Sequence, residues 1–145
     1  MKKGTIAFLI TFFLFCGILF ADEIHHAVEQ NNLSKVKLLI ESKPSLVNSK
    51  DSDGWTPLEF AARFGRKEIA EYLISKKADV NTADKSGFTP LHQAASYGQV
   101  EIIKLLVSKK ANVNSRTTGG VSPLGLAKSN GQREAVKVIK DKGGK

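Results

Sequence analysis

Thiols are almost missing from this chain. Of its 145 residues one is cysteine, Cys16, and it lies in a segment expected to be removed, so the mature protein has no intrachain disulfide, cysteine nucleophile or thiolate metal site. Catalytic groupings are missing as well: no Ser-His-Asp spacing, glycine-rich phosphate loop or carboxylate pair stands out. Two of the three histidines, His25 and His26, are adjacent and diverge by about 100° on a helix, which is not the i, i+4 placement of a shared metal. Both are expected as surface residues. The chain is expected to be no enzyme and to need no cofactor or metal. What is present is an ordinary globular balance, 41% hydrophobic and 25% charged, in one domain's worth of residues, which excludes a disordered tail and a multi-pass membrane protein. Basic residues dominate, 22 Lys and Arg against 14 Asp and Glu, for a formal +8 that becomes +6 once Lys2 and Lys3 are discounted.

Those two lysines open a leader. Met1, Lys2 and Lys3 form a positive end, Gly4–Ala21 carries no charge, and Leu19-Phe20-Ala21 precedes an abrupt change to Asp22-Glu23. That is a signal-peptide layout, with cleavage expected after Ala21. An uncleaved anchor is the second reading, since the uncharged run just reaches a bilayer's thickness. A lipidated Cys16 is the third, although the large Phe15 departs from the small residue that lipoprotein signals place there. All three readings export the protein, to a periplasmic or secreted location, and divide the chain into 1–21 and a domain of 22–145.

The rest of the chain repeats. Asp51–Leu58 reads DSDGWTPL, Asp84–Leu91 reads DKSGFTPL and Thr117–Leu124 reads TTGGVSPL, at a spacing of 33. Gly65, Gly98 and Gly131 keep that period, as do Ala61, Ala94 and Ala127, Glu68, Glu101 and Glu134, and Asn48, Asn81 and Asn114. Each unit decodes the same way. Thr56, Thr89 and Ser122 are hydroxyl N-caps followed by proline at the first helical position. The helix runs through Leu58, Ala61 and Ala62 to Gly65, which takes a left-handed helix end without a Cβ penalty. A second helix, Glu68–Ser75 and Glu101–Ser108, aligns Ile69 with Leu73 and Ile102 with Leu106 on one face. Such a pair cannot bury its own apolar face and must stack on neighbours.

Gly-Trp-Thr-Pro-Leu58 and Gly-Phe-Thr-Pro-Leu91, with His92 following, resemble the signature of ankyrin-repeat proteins, and the resemblance extends from Asp22 to about Lys142. It implies an all-α solenoid of four stacked helix-turn-helix repeats with hairpin loops, at approximately 22–50, 51–83, 84–116 and 117–145. The first repeat aligns at offset 34 through its helices (Ile24 under Leu58, Leu39 under Leu73) and at 33 by Asn48, placing one extra residue around Lys43-Pro44-Ser45. In the last, Lys128 and Lys140 replace apolar residues, as a polar cap requires, and Asp141–Lys145 are expected to fray. The resemblance also gives His92 a structural role, bonding to neighbouring loop backbone.

Function then falls to the surface. In ankyrin domains the hairpin tips and the exposed end of the first helix face a concave groove. Here those positions carry aromatics, Trp55 and Phe88 at the tips and Phe64 and Tyr97 before the helix-ending glycines, with Ser52, Asp53, Arg63, Lys85, Ser86 and Ser96 around them. They form a candidate protein-binding strip; the alternative is that the tip rings cover the neighbouring hairpin. A second feature is a lysine ladder, Lys43, Lys76, Lys77, Lys109, Lys110 and Lys142, at the ends of the second helices. It suits either the helix C-terminal dipoles or anionic membrane and envelope polymers. The expected function is a monomeric interaction module for a protein partner, as scaffold, inhibitor or protective partner, with surface attachment through the lysines as the alternative. Nucleic acid is not an expected partner, and a membrane is one only through an uncleaved leader or lipidated Cys16.

Overall fold

The structure, a computed structural model, describes residues 22–145. The expected leader and Cys16 lie outside the described residues. Each inner helix starts where a hydroxyl and a proline meet. Thr56 accepts a hydrogen bond from the Glu59 amide and opens α3 (Pro57–Phe64), Thr89 does so for α5 (Pro90–Ser96), and Ser122 caps α7 (Pro123–Ser129) through the Gly125 amide. Gly65, Gly98 and Gly131 follow with φ near +69°, +68° and +69°. The outer helices α4 (Lys67–Ser75), α6 (Val100–Ser108) and α8 (Arg133–Asp141) then return antiparallel. In the first repeat, α1 (22–29) and α2 (Leu33–Ser42) form the same pair. There Asn31, at φ +56°, does the work of glycine, and the extra residue is absorbed in a 3₁₀ turn at Pro44–Asn48. The described residues contain no strand.

Packing is sequential. α3 meets α5 and α5 meets α7, while α2, α4, α6 and α8 form an outer row. Leu58, Leu91 and Leu124, the alanines 61, 62, 94, 95 and 127, and Ile69, Leu73, Ile102, Leu106 and Ile139 are all buried between the two rows. Burying each of the larger side chains contributes roughly 1.5–3 kcal/mol. Lys128 and Lys140 are exposed, as a polar terminal face requires.

Two hydrogen-bond ladders tie the repeats at opposite ends. At the tips, Asp51 and Asp84 carboxylates each accept two backbone amides, those of Asp53 and Trp55 and those of Ser86 and Phe88, at 2.8–2.9 Å. Successive tips then join through the Lys85 amide to the Asp53 carbonyl and the Thr118 amide to the Ser86 carbonyl. At the other end the Asn81 side chain donates to the Lys110 carbonyl and accepts from the Asn112 amide, and Asn48 does the same toward Lys77 and Asp79. Asn114 completes this series on Gly143 and Lys145. The expected fraying of the C-terminal residues is thereby corrected: residues 143–145 take the place that 77–79 and 110–112 hold in the inner repeats, so the same side-chain amide pins them.

Candidate functional site

Short helices and tight tips bring the predicted strip together. Asp51 and Asp84 fix the backbone of Trp55 and Phe88, while Arg63 and Phe64 end α3 and Ser96 and Tyr97 end α5. A hollow of about 590 Å³ is lined by Asp53, Trp55, Arg63, Lys85, Ser86, Phe88, Ser96 and Tyr97, together with Asp84 and Gln93, which were not expected in the strip. Phe64 lies beside it, in a smaller hollow that shares Asp53, Trp55 and Arg63 and adds Glu29, Asp51 and Phe60. Ser52 lines neither. Its carbonyl accepts a hydrogen bond from Lys85 Nζ at 2.6 Å, so Ser52 and Lys85 lace two tips together. The Ser96 carbonyl and hydroxyl are likewise taken up by Asn130.

The tip rings lean on their own repeats. Trp55 packs edge-on against Phe60 at 5.4 Å between centroids, and Phe88 against His92 at 5.8 Å. Both are half-buried, whereas Tyr97 is 46% exposed. At the centre the Arg63 guanidinium lies 5.2 Å from the Trp55 ring, 5.6 Å from Phe64 and 5.0 Å from Tyr97. Cation–π attraction of this kind contributes about 0.5–2 kcal/mol, and here it joins the second repeat to the third.

Beneath the groove floor runs a buried polar column that sequence reading mostly missed. His92 accepts the Thr89 amide at Nδ1, which leaves Nε2 protonated and 3.1 Å from the Val121 carbonyl of the next repeat. Burial lowers its pKa, so the ring is held neutral. Glu59 stands at the same register one repeat earlier and is fully buried. Its Oε2 accepts the Thr56 amide at 2.7 Å and hydroxyl at 2.8 Å, while Oε1 has no hydrogen-bond partner among the described residues. Burial pushes its pKa up to about 7, opposed by the Thr56 bonds and assisted by the Asp84 charge. His25, at the offset of 34, is a correction to the surface placement expected for both adjacent histidines: it is buried, 5.0 Å from the Phe60 ring, because it occupies the Glu59 position of its repeat. His26 is exposed beside Gln30 and Glu29. The signal that finds Glu59 is its place 33 residues before His92.

Among the described residues no cluster of histidine, cysteine and carboxylate groups is placed to hold a metal ion, and no helix is long and apolar enough to cross a membrane. The lysine ladder is exposed along one edge. Ion pairs link Lys35 to Glu23, Lys67 to Glu71 and Lys104 to Glu101, and none involves a ladder lysine among the described residues.

These features define a helical solenoid with a ring-lined hollow between its tips and inner helices. A family model described as ankyrin repeats (3 copies) matches residues 21–84 and 78–145, and the chain belongs to the ankyrin-repeat family. It is similar to the probable 26S proteasome regulatory subunit p28 of Saccharomyces cerevisiae, 43% identical over 53 residues that are 37% of this chain and 23% of that protein. It is also similar to protein phosphatase 1 regulatory subunit 27 of Mus musculus, 44% identical over 52 residues, 36% of this chain and 33% of that protein. A third similarity is to the NAD-capped RNA hydrolase NUDT12 of Homo sapiens, 33% identical over 54 residues, 37% of this chain and 12% of that protein. The matches thus span a third or less of each relative's length.

Proposed function

We propose that this protein is a non-catalytic interaction module that binds a protein partner in the groove between its hairpin tips and inner helices. The observation that carries the reading is the hollow between Trp55 and Phe88, where rings from two repeats surround a single guanidinium at the end of α3. Aromatic and arginine side chains are the usual anchors of protein interfaces. Two relatives are named as regulatory subunits, which supports a role exerted through a partner as scaffold, inhibitor or protective partner. The protein acts as an exported monomer, in the periplasm or secreted. Trp55→Ala combined with Phe88→Ala should weaken binding of a partner captured from the native compartment by about 2 kcal/mol or more, with the helical circular dichroism spectrum unchanged. Binding untouched by that pair of changes and abolished by moderate salt would reject the groove.

A second reading, attachment to anionic membrane or envelope polymers, is favoured by one observation. Lys77 and Lys110 hold φ of +71° and +68° where Gly143 serves in the last repeat, so two cations persist at positions where a side chain is strained. Changing Lys76, Lys77, Lys109 and Lys110 to Gln should then release the protein from anionic vesicles, and raising ionic strength should do the same.

A further inference from the structure

Among the described residues Arg63 is the one cation of the groove that is fixed over aromatic faces and left without an anion. Its guanidinium is within 5.6 Å of the Trp55, Phe64 and Tyr97 rings, yet it makes no side-chain hydrogen bond or ion pair to any described residue. Lys85, the other cation of the hollow, already donates to the Ser52 carbonyl. Stacking on ring faces positions a guanidinium without using its N–H donors. That edge matches a carboxylate bidentately, and a half-buried setting strengthens the pairing relative to open water.

We propose that the groove selects a polypeptide segment carrying an aspartate or glutamate side chain, which pairs with Arg63 while the flanking apolar side chains rest on Trp55, Phe88 and Tyr97. This rests on the groove reading above and adds the chemistry of what it accepts. Asp53 lines the same hollow and lies beyond ion-pair distance of Arg63. With Asp84 in the same hollow and Glu29 and Asp51 in the adjoining one, it repels the incoming acid and disfavours a segment with several negative charges, so the geometry calls for one acid among apolar neighbours rather than an acidic run.

The test is selection of a random phage-displayed peptide library on the immobilised protein, followed by binding of one enriched synthetic peptide and its Glu-to-Gln (or Asp-to-Asn) counterpart. The wild type should enrich peptides with an acid in one register beside apolar residues, and the neutral counterpart should bind at least about tenfold more weakly, equivalent to about 1.4 kcal/mol. Arg63→Gln should bring the two peptides to equal affinity, Arg63→Lys should leave a reduced preference because charge remains but the planar fork is lost, and Asp53→Asn should widen it. Thermal unfolding of each variant reports that the fold is intact. Peptides without an acid, or an acid preference that survives Arg63→Gln, overturn the proposal while the groove stands if Trp55→Ala with Phe88→Ala still abolishes binding. Enrichment of basic peptides lost in Asp53→Asn overturns it in favour of the opposite charge. Enrichment of nothing, or of peptides indifferent to the loss of Trp55 and Phe88, removes the groove reading itself.

Discussion

Glu59 is the residue whose chemistry depends most on its surroundings. Between about pH 4.5, where an ordinary glutamate loses its proton, and about pH 7, where the buried one does, the folded state binds more protons than the unfolded chain. Stability therefore falls as pH rises across that window; the contribution is complete below about 4.5 and gone above about 7. His92, with its pKa lowered by burial, acts in the other direction, since stability is lost as pH falls below its ordinary value and the unfolded imidazole takes a proton. Glu59→Gln isolates the first effect. At pH 8 the variant should be more stable than wild type by about 1–3 kcal/mol, and the difference should vanish near pH 4.5, as read by urea unfolding at each pH. A protonated carboxyl, or the amide of Gln, presents a donor at the register where His92 presents Nε2 to the Val121 carbonyl. A difference independent of pH would show that Glu59 is already neutral or already well solvated. Sequence inspection finds the period through residues that are identical at 33, such as Gly65 and Gly98. His92 was legible through its resemblance to the repeat signature, but Glu59 and His25 were passed over because the column position changes side chain from repeat to repeat.

Among the elements, the inner helices were the most legible, because Thr-Pro at the start and Gly at the end are local signals that need no tertiary information. The outer helices begin one residue earlier than the apolar pattern indicates, at Lys67 and Val100. Less legible were the links between repeats, since a period shows that Asn48, Asn81 and Asn114 are equivalent without showing what they hold. Asn81→Ala removes a donor to Lys110 and an acceptor for the Asn112 amide at 2.8 Å, in the middle of the stack. It should cost about 1–2 kcal/mol in a urea melt. Asn114→Ala releases only residues 143–145 and should cost less than about half as much, while the Lys145 amide loses its protection from hydrogen exchange. Equal losses would mean that the C-terminal residues are as integral to the stack as the inner loops.

At the scale of the molecule, each repeat is held by its neighbours, so what can be removed without harm is decided at the ends. Among the described residues the first core side chain is Ile24, and Glu23 is paired with Lys35 at 2.9 Å, so cleavage after Ala21 leaves every buried residue of residues 22–145 in place. The intact exported protein should have the mass of a chain beginning at Asp22; a mass that retains Cys16, or that carries acyl chains, rejects this. The sequence conveyed the solenoid and most of the groove residues because both recur with the period. It conveyed less about which of them are free to bind, since Lys85 and Ser96 look like a polar rim until their partners in adjacent repeats are seen. The period also breaks where a neighbour would dock next. The buried column of His25, Glu59 and His92 arrives in the last repeat at Gly125, which has no side chain, and the face beyond it carries Lys128 and Lys140. A copy arriving end-on meets no imidazole to reach its loop, and two charges where the inner repeats offer Ala and Ile or Val. At this register the solenoid resembles a polymer end lacking its reactive group, since no side chain stands where His92 reaches the Val121 carbonyl of the next repeat.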